Sequence, residues 1–440
     1  MSSPTTTTNA VQRTSAPDTF LIALVLLAFY AMPFDRDFSF HLLSASAVIA
    51  LVVCVIRTRG KTGRWDGLVS LRAMHLIIAM LVMIIAQAYW FLTLGGQGRF
   101  AWMSEYAKET ILYWSASSVL CFYFANHYGG VIPAAKKYIV SFMLLVLALT
   151  LVAAFKEYQE TGYRVALKIR HPVPAGFVFT IMTMVAVMTF SSWLTKSWRL
   201  GCAVFALAIG ATLVVLTSTR GALIIFLMFL LVAVWSYSRG GRQCRKGELI
   251  GLSLMSLSIF LGVLIGFYDR FADLYHDLMN YWQDNPSGSM GGRFVMWEAG
   301  WYSFLHHPWG YTSEARYQVV HDYISARLPG QDGLIIQITT AAAHHLHNEL
   351  IEAVSLQGVF GLIAILWLYA TLIGTAWKAK VVDPMFGPLV VAMLIFGVNE
   401  PLFNSNKIVL CLALAIPLCV AFGTERRQRE SRSPGSGGNV

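Results

Sequence analysis

Charge is scarce in this chain. Of its 440 residues only 13% are Asp, Glu, Lys or Arg, while 56% are hydrophobic. A soluble domain carries about 25% charged residues, so that class is excluded. Cysteine is scarce too. Cys54, Cys121, Cys202, Cys244, Cys411 and Cys419 lie in apolar runs or a basic stretch, and no two are spaced as metal ligands. Neither a disulfide framework nor a zinc site is expected. The N-terminus lacks the charged, apolar, then small-residue order of a secretory leader. The apolar runs lack the ~10-residue alternation of a membrane barrel. No internal repeat supports an inverted-repeat transporter.

What the chain does have is long apolar runs. Twelve candidate spans cover 19–34, 38–56, 73–94, 109–126, 138–155, 174–193, 200–217, 221–237, 249–268, 349–376, 385–402 and 407–423. A run that crosses lipid must satisfy its own backbone, which makes helix the default. The expected fold is an all-α polytopic membrane protein of about twelve transmembrane helices, with one long loop at 269–348. Residues 1–18 read as a disordered cytosolic tail, and 424–440 as a basic cytosolic one. Most basic residues, including Arg57, Lys136, Arg199, Arg245, Lys378 and Arg426, fall on the side of the termini. That bias puts the termini in the cytosol and the long loop outside. It also accounts for most of the +10 net charge, which gives little support to nucleic-acid binding.

The long loop reads as helical. Phe271, Leu274, Tyr275, Leu278 and Trp282 recur at helical spacing and suggest an interfacial helix. A second helix is expected from near Arg293, and a third capped by Ser313.

Several residues there and on the other outer turns can carry chemistry. Arg220, between two spans and before Gly221, is either a snorkelling anchor or a guanidinium fixed for a phosphate. Arg293 follows Gly291-Gly292 and either pairs with Glu298 or supplies a second forked donor for the same anion. His344, His345 and His347 cluster at the mouth of a span that Asn348 is placed to cap; the helix dipole favours a neutral, base-competent ring at His347. Metal ligation by His344 and His347 finds no obvious third ligand, so a metal is not expected. Asp35 and Asp37 could hold a divalent ion, but Arg36 between them favours a solvated hairpin tip. Arg164, Lys168 and Arg170, beside His171, sit on the outer side against the orientation rule; they either meet an anionic lipid headgroup or merely hold an interfacial helix.

The Arg220-Gly221 turn, Arg293 followed by Trp297, the turn His307-Pro308-Trp309-Gly310, and His347-Asn348 ahead of Gly358 and Gly361 together resemble the O-antigen ligase family. The resemblance covers about residues 200 to 405 and extends to O-antigen polymerases and some protein oligosaccharyltransferases. It implies a bacterial inner-membrane enzyme of the all-helical glycosyltransferase type C, with its active site at the periplasmic face. Such an enzyme would transfer a glycan from undecaprenyl diphosphate to a sugar hydroxyl of lipid A–core, with inversion and without a metal or other cofactor. By the same resemblance Arg220 and Arg293 would hold the diphosphate and His347 would activate the acceptor. The rival readings are a polymerase or a protein O-oligosaccharyltransferase, which differ in acceptor, and a transporter or flippase. The polar candidates cluster at one face, which disfavours transport, and the single long outer loop favours ligase over polymerase.

Overall fold

A computed structural model describes residues 16–59, 71–96, 98–239, 262, 268–283, 285–377 and 386–430. Helix dominates, and no strand occurs among the described residues. Among the described residues eight α-helices precede the long loop: α1 (Ala16–Ala31), α2 (Arg36–Arg59), α3 (Leu71–Thr93), α4 (Ala101–Asn126), α5 (Pro133–Thr161), α6 (Pro172–Trp193), α7 (Lys196–Leu216) and α8 (Arg220–Arg239). The loop itself forms α9 (Tyr268–Trp282), α10 (Ser289–His306), α11 (Ser313–Arg327) and α12 (Asp332–Ala342). After it come α13 (Glu349–Trp377), α14 (Phe386–Gly397) and α15 (Asn406–Glu430).

Eleven of the twelve expected spans coincide with helices, and 249–268 lies almost wholly outside the described residues. Seven of those helices are long and apolar enough to cross a membrane, and Ala16–Ala31, Gly221–Leu231 and Phe386–Gly397 are shorter apolar ones. The chain is a polytopic membrane protein. α6 and α15 run through the middle of the bundle and are buried nearly all round. α2 instead leaves Val48, Leu51, Val52, Val55 and Ile56 exposed, as a lipid-facing helix should.

Three boundaries differ from expectation for identifiable reasons. α1 begins at Ala16, inside the stretch read as tail, because Asp18 is buried. Its carboxylate takes Arg57 at 3.0 Å, the Tyr123 hydroxyl, and the Gly129 amide at 3.1 Å. α15 runs on to Glu430, and Glu425 within it binds Lys136 and the Trp193 indole. The run 385–402 is helical only to Gly397. Pro401 cannot donate to a helix and disfavours helix in the residue before it, so 398–405 leave the helical path.

The four loop helices make a layer with its own small core, formed by Val295, Met296, Ala299, Val320, Ile324, Ile338 and Leu346. α11 is capped by Thr312, whose hydroxyl accepts the Ala315 amide at 3.1 Å, one residue ahead of the expected Ser313. α12 had no clear signal in the sequence.

This layer is latched onto α13. At Gly358 the helix breaks (φ 60°, ψ −144°), which frees the carbonyl of Leu356 and the amide of Val359. The 307–310 turn fills the gap: Tyr311 donates to Leu356 at 3.0 Å, and Val359 donates to Pro308 at 2.8 Å. A Cβ on Gly358 would stand 2.1 Å from the Pro308 oxygen, and one on Gly310 would stand 2.3 Å from the Leu356 oxygen. Only glycine fits either place.

Candidate active site

The three histidines lie in the short turn between α12 and α13. His347 has φ 52°, a left-handed conformation that costs about 1–3 kcal/mol for a residue with a Cβ. The turn is held from both sides. The Asn348 side chain accepts the amides of Leu350 (3.0 Å) and Ile351 (3.1 Å), capping α13 as the sequence suggests. From inside, Glu352 accepts the Leu346 amide at 2.7 Å. Glu352 is itself ion-paired with Arg316 at 2.8 Å and takes a 3.2 Å hydrogen bond from Asn404.

The break after Gly397 delivers Glu400 to this turn. Its carboxylate is almost wholly buried, with one oxygen 3.2 Å from His347 Nδ1 and the other 3.6 Å from His345 Nε2. The two imidazoles stand 4.2 Å apart and nearly perpendicular. Burial pushes the Glu400 carboxyl up, but the hydrogen bond from His347 and the neighbouring His345, His347 and Arg293 outweigh it and hold it below the usual range. Burial pushes His345 down to about 3, against the pull of Glu400. At neutral pH the cluster is therefore a carboxylate beside a neutral His345. A His347 tautomer that donates Nδ1–H to Glu400 presents Nε2 as an acceptor, the arrangement of an oriented general base.

The same three residues could hold a divalent ion, since His345, His347 and Glu400 each offer a ligand atom within 4.8 Å of the others. The expected pair was His344 with His347; the structure instead brings His345 and His347 together, with Glu400 as the third group. Asp35 and Asp37 are occupied otherwise: Asp35 accepts the Phe38 amide at 2.9 Å and Asp37 pairs with Arg36 at 2.8 Å.

Arg293, in the second turn of α10, reaches Asn399 at 3.2 Å and lies close enough to Glu400 to affect it. Glu298, the alternative partner, is bound by the Tyr281 hydroxyl and by Arg327 at 3.8 Å. Arg220 is the first residue of α8. The turn before it is fixed by Arg164, which donates to the Thr217 carbonyl at 2.9 Å and the Thr219 hydroxyl at 3.1 Å. Ser218 in that turn has φ 50°. Two of Arg164's donors are thus spent on the protein. Lys168, Arg170 and His171 are all exposed at the rim, and His171 also lines the cavity, where partial burial lowers its pKa.

His171, His344, His345, His347 and Glu400 line a cavity of about 490 Å³ between α3, α4, α13 and the start of α15. That is within the usual range of small-molecule sites, roughly 300–1,000 Å³. Its lining also includes Gln87, Trp90, Trp102, Tyr106, Gln357 and Lys407.

Residues 205–366 match the family model described as O-antigen ligase. Over 206 residues the chain is 26% identical to the O-antigen ligase of Escherichia coli (strain K12), an alignment covering 46% of this chain and 47% of that relative. The O-antigen ligase family is the one these matches support. The chain spans about half the length of the curated relative it matches.

The family match takes in Arg220, Arg293, the histidine turn and Glu352, and stops before Glu400. Sequence reasoning missed Glu400, Glu352 and Arg316. A signal for the first existed: an acid next to proline inside an apolar run is costly unless it has a task. Arg316 gave none, because it reads as one more basic residue on a polar helix.

Proposed function

We propose that this chain is a glycosyltransferase of the bacterial inner membrane that moves a preassembled glycan from undecaprenyl diphosphate to a sugar hydroxyl of lipid A–core. On this reading the termini, including residues 1–18 and 424–440, are cytosolic, and the 268–348 layer covers the periplasmic ends of the helices as a lid. The observation that carries the proposal is the His347–Glu400 pair on the wall of a cavity at that face, with Arg293 beside it.

The chemistry follows from those groups. The acceptor hydroxyl attacks the anomeric carbon of the donor glycan while His347 Nε2 takes its proton. The bond from the anomeric carbon to the phosphate oxygen breaks, and undecaprenyl diphosphate leaves with the electron pair. Attack opposite the leaving group inverts the anomeric centre. Glu400 stabilises the imidazolium that forms, and His345 remains neutral beside it. Charge builds on the diphosphate as it leaves, and Arg220 and Arg293 neutralise it. Preorganised donors of this kind contribute about 2.7–4 kcal/mol each to the barrier. No metal is needed for these steps. The donor carries its own activation, as required where no nucleotide sugar is present.

Reconstituted transfer tests the proposal. Wild type and His347→Ala are mixed with lipid-linked glycan and truncated lipopolysaccharide, with and without EDTA. Transfer by wild type in EDTA, absent in the variant, is expected. EDTA-sensitive transfer would assign the His345–His347–Glu400 cluster to a metal instead. Lengthening of the lipid-linked glycan without transfer to lipopolysaccharide would mean a polymerase.

A further inference from the structure

Besides the titratable cluster of His345, His347 and Glu400, the cavity wall carries neutral amides and aromatic rings. Gln87, in the last third of α3, and Gln357, just before the break in α13, are 3% and 4% exposed, yet both line the cavity. Neither amide has a protein partner among the described residues. Their polar groups open onto the cavity, so what occupies it can meet them with hydrogen bonds. Trp102 and Tyr106, from α4, line it too, with their rings 5.2 Å apart, and the His344 ring lies 6.1 Å from Trp102. The Trp90 indole is not available, because it donates to the Tyr311 carbonyl at 3.0 Å.

We propose that Gln87, Gln357, Trp102 and Tyr106 form the subsite for the acceptor's terminal saccharide ring, resting on the glycosyl-transfer function proposed above. A neutral polyhydroxylated ring suits the site. Its hydroxyls alternate as donors and acceptors, as an amide's oxygen and nitrogen do, and its C–H face lies on an aromatic plane. A phosphate does not suit these four side chains, which bring no charge. Hydrocarbon does not either, since it would leave both amides unsatisfied. The subsite receives the acceptor rather than the donor. It shares its cavity with His347, which must reach the acceptor hydroxyl, whereas Arg293, assigned to the leaving diphosphate, is not among the residues that line the cavity.

The test has a binding arm and a turnover arm. In the first, detergent-purified full-length wild type, Gln87→Ala, Gln357→Ala and Trp102→Ala are titrated calorimetrically with deacylated lipid A–core oligosaccharide. Saturable binding by wild type, weakened about tenfold or more by each variant, is expected, with Trp102→Phe retaining most of the affinity. Melting in the presence of undecaprenyl diphosphate checks that each variant is folded and still takes the donor's lipid carrier. No binding by wild type, or binding that the folded variants leave unchanged, would overturn the subsite. In the second arm, the acceptor KM is expected to rise about tenfold in Gln87→Ala and Gln357→Ala while the donor KM holds. Equal changes in both would mean a structural role and overturn the proposal. Absence of transfer by wild type, with oligosaccharide binding intact and lost in the variants, would sink the ligase reading and leave the saccharide subsite standing.

Discussion

Arg316 and Glu352 meet at 2.8 Å with neither side chain more than 1% exposed. The pair joins α11 of the outer layer to the first turn of α13, and the second oxygen of Glu352 holds the backbone between His345 and His347. Buried ion pairs often add little net stability, but removing one partner strands the other charge at a cost of about 3–5 kcal/mol. Arg316→Ala should therefore lower the melting temperature sharply. Arg316→Met combined with Glu352→Leu should recover much of that stability but not transfer, because Leu346 loses its acceptor and His347 its alignment. Melting curves and turnover of the two variants in parallel check this.

Glu400→Gln tests the orientation of the base. The amide nearly preserves shape, yet it can offer its N–H where a carboxylate oxygen accepted, which favours the wrong tautomer of His347. Turnover is expected to fall by roughly 10²–10⁴-fold, close to the loss in His347→Ala, with little change in either KM. Combining the two should add little to either alone, since they act as one unit.

His345 makes stability depend on pH. Its folded pKa lies near 3, well below the usual 6.5. Between those values the unfolded chain takes up a proton that the folded one refuses, so stability is full above about pH 6.5 and falls as pH drops towards 3. The slope from this one group is at most about 1.4 kcal/mol per pH unit. His345→Gln should flatten the fall in melting temperature between pH 7 and pH 5. An unchanged slope would show that His345 charges freely in the folded protein.

Arg293→Lys should not rescue Arg293→Ala. A lysine keeps the charge but not the fork that spans a diphosphate. Both variants are expected to lose roughly 10²–10³-fold in turnover with expression intact. Arg164→Ala should act more mildly and through donor KM, by loosening the turn that sets the start of α8. Kinetics at saturating acceptor separates the two effects.

Much of the fold was legible because lipid leaves so few choices: an apolar run long enough to cross becomes a helix. The Asn348 cap could likewise be read locally. Glu400 could not, since its role depends on the chain leaving the helical path at Gly397 and folding back to a turn 53 residues upstream. The Thr312 cap was misread by one residue because two hydroxyls stand side by side. The saccharide-facing glutamines were hidden for another reason: one amide in a span is unremarkable until its lack of partners is seen. Arg164 had a clear signal with two readings, and its contacts with the 217–219 turn favour a role in the scaffold.

The latch between the 307–310 turn and the break in α13 is made of main-chain groups. A seam of that kind reads no side chain, so Pro308, Val359, Leu356 and Tyr311 could drift across related proteins while their amides and carbonyls went on pairing. The constraint falls instead on two residues with nothing beyond Cα, Gly358 and Gly310. A methyl group at either would part the outer layer from the bundle without touching any residue that meets substrate. Sequence drift that spares those two positions leaves the cavity roofed, so the roof's own surface is free to change.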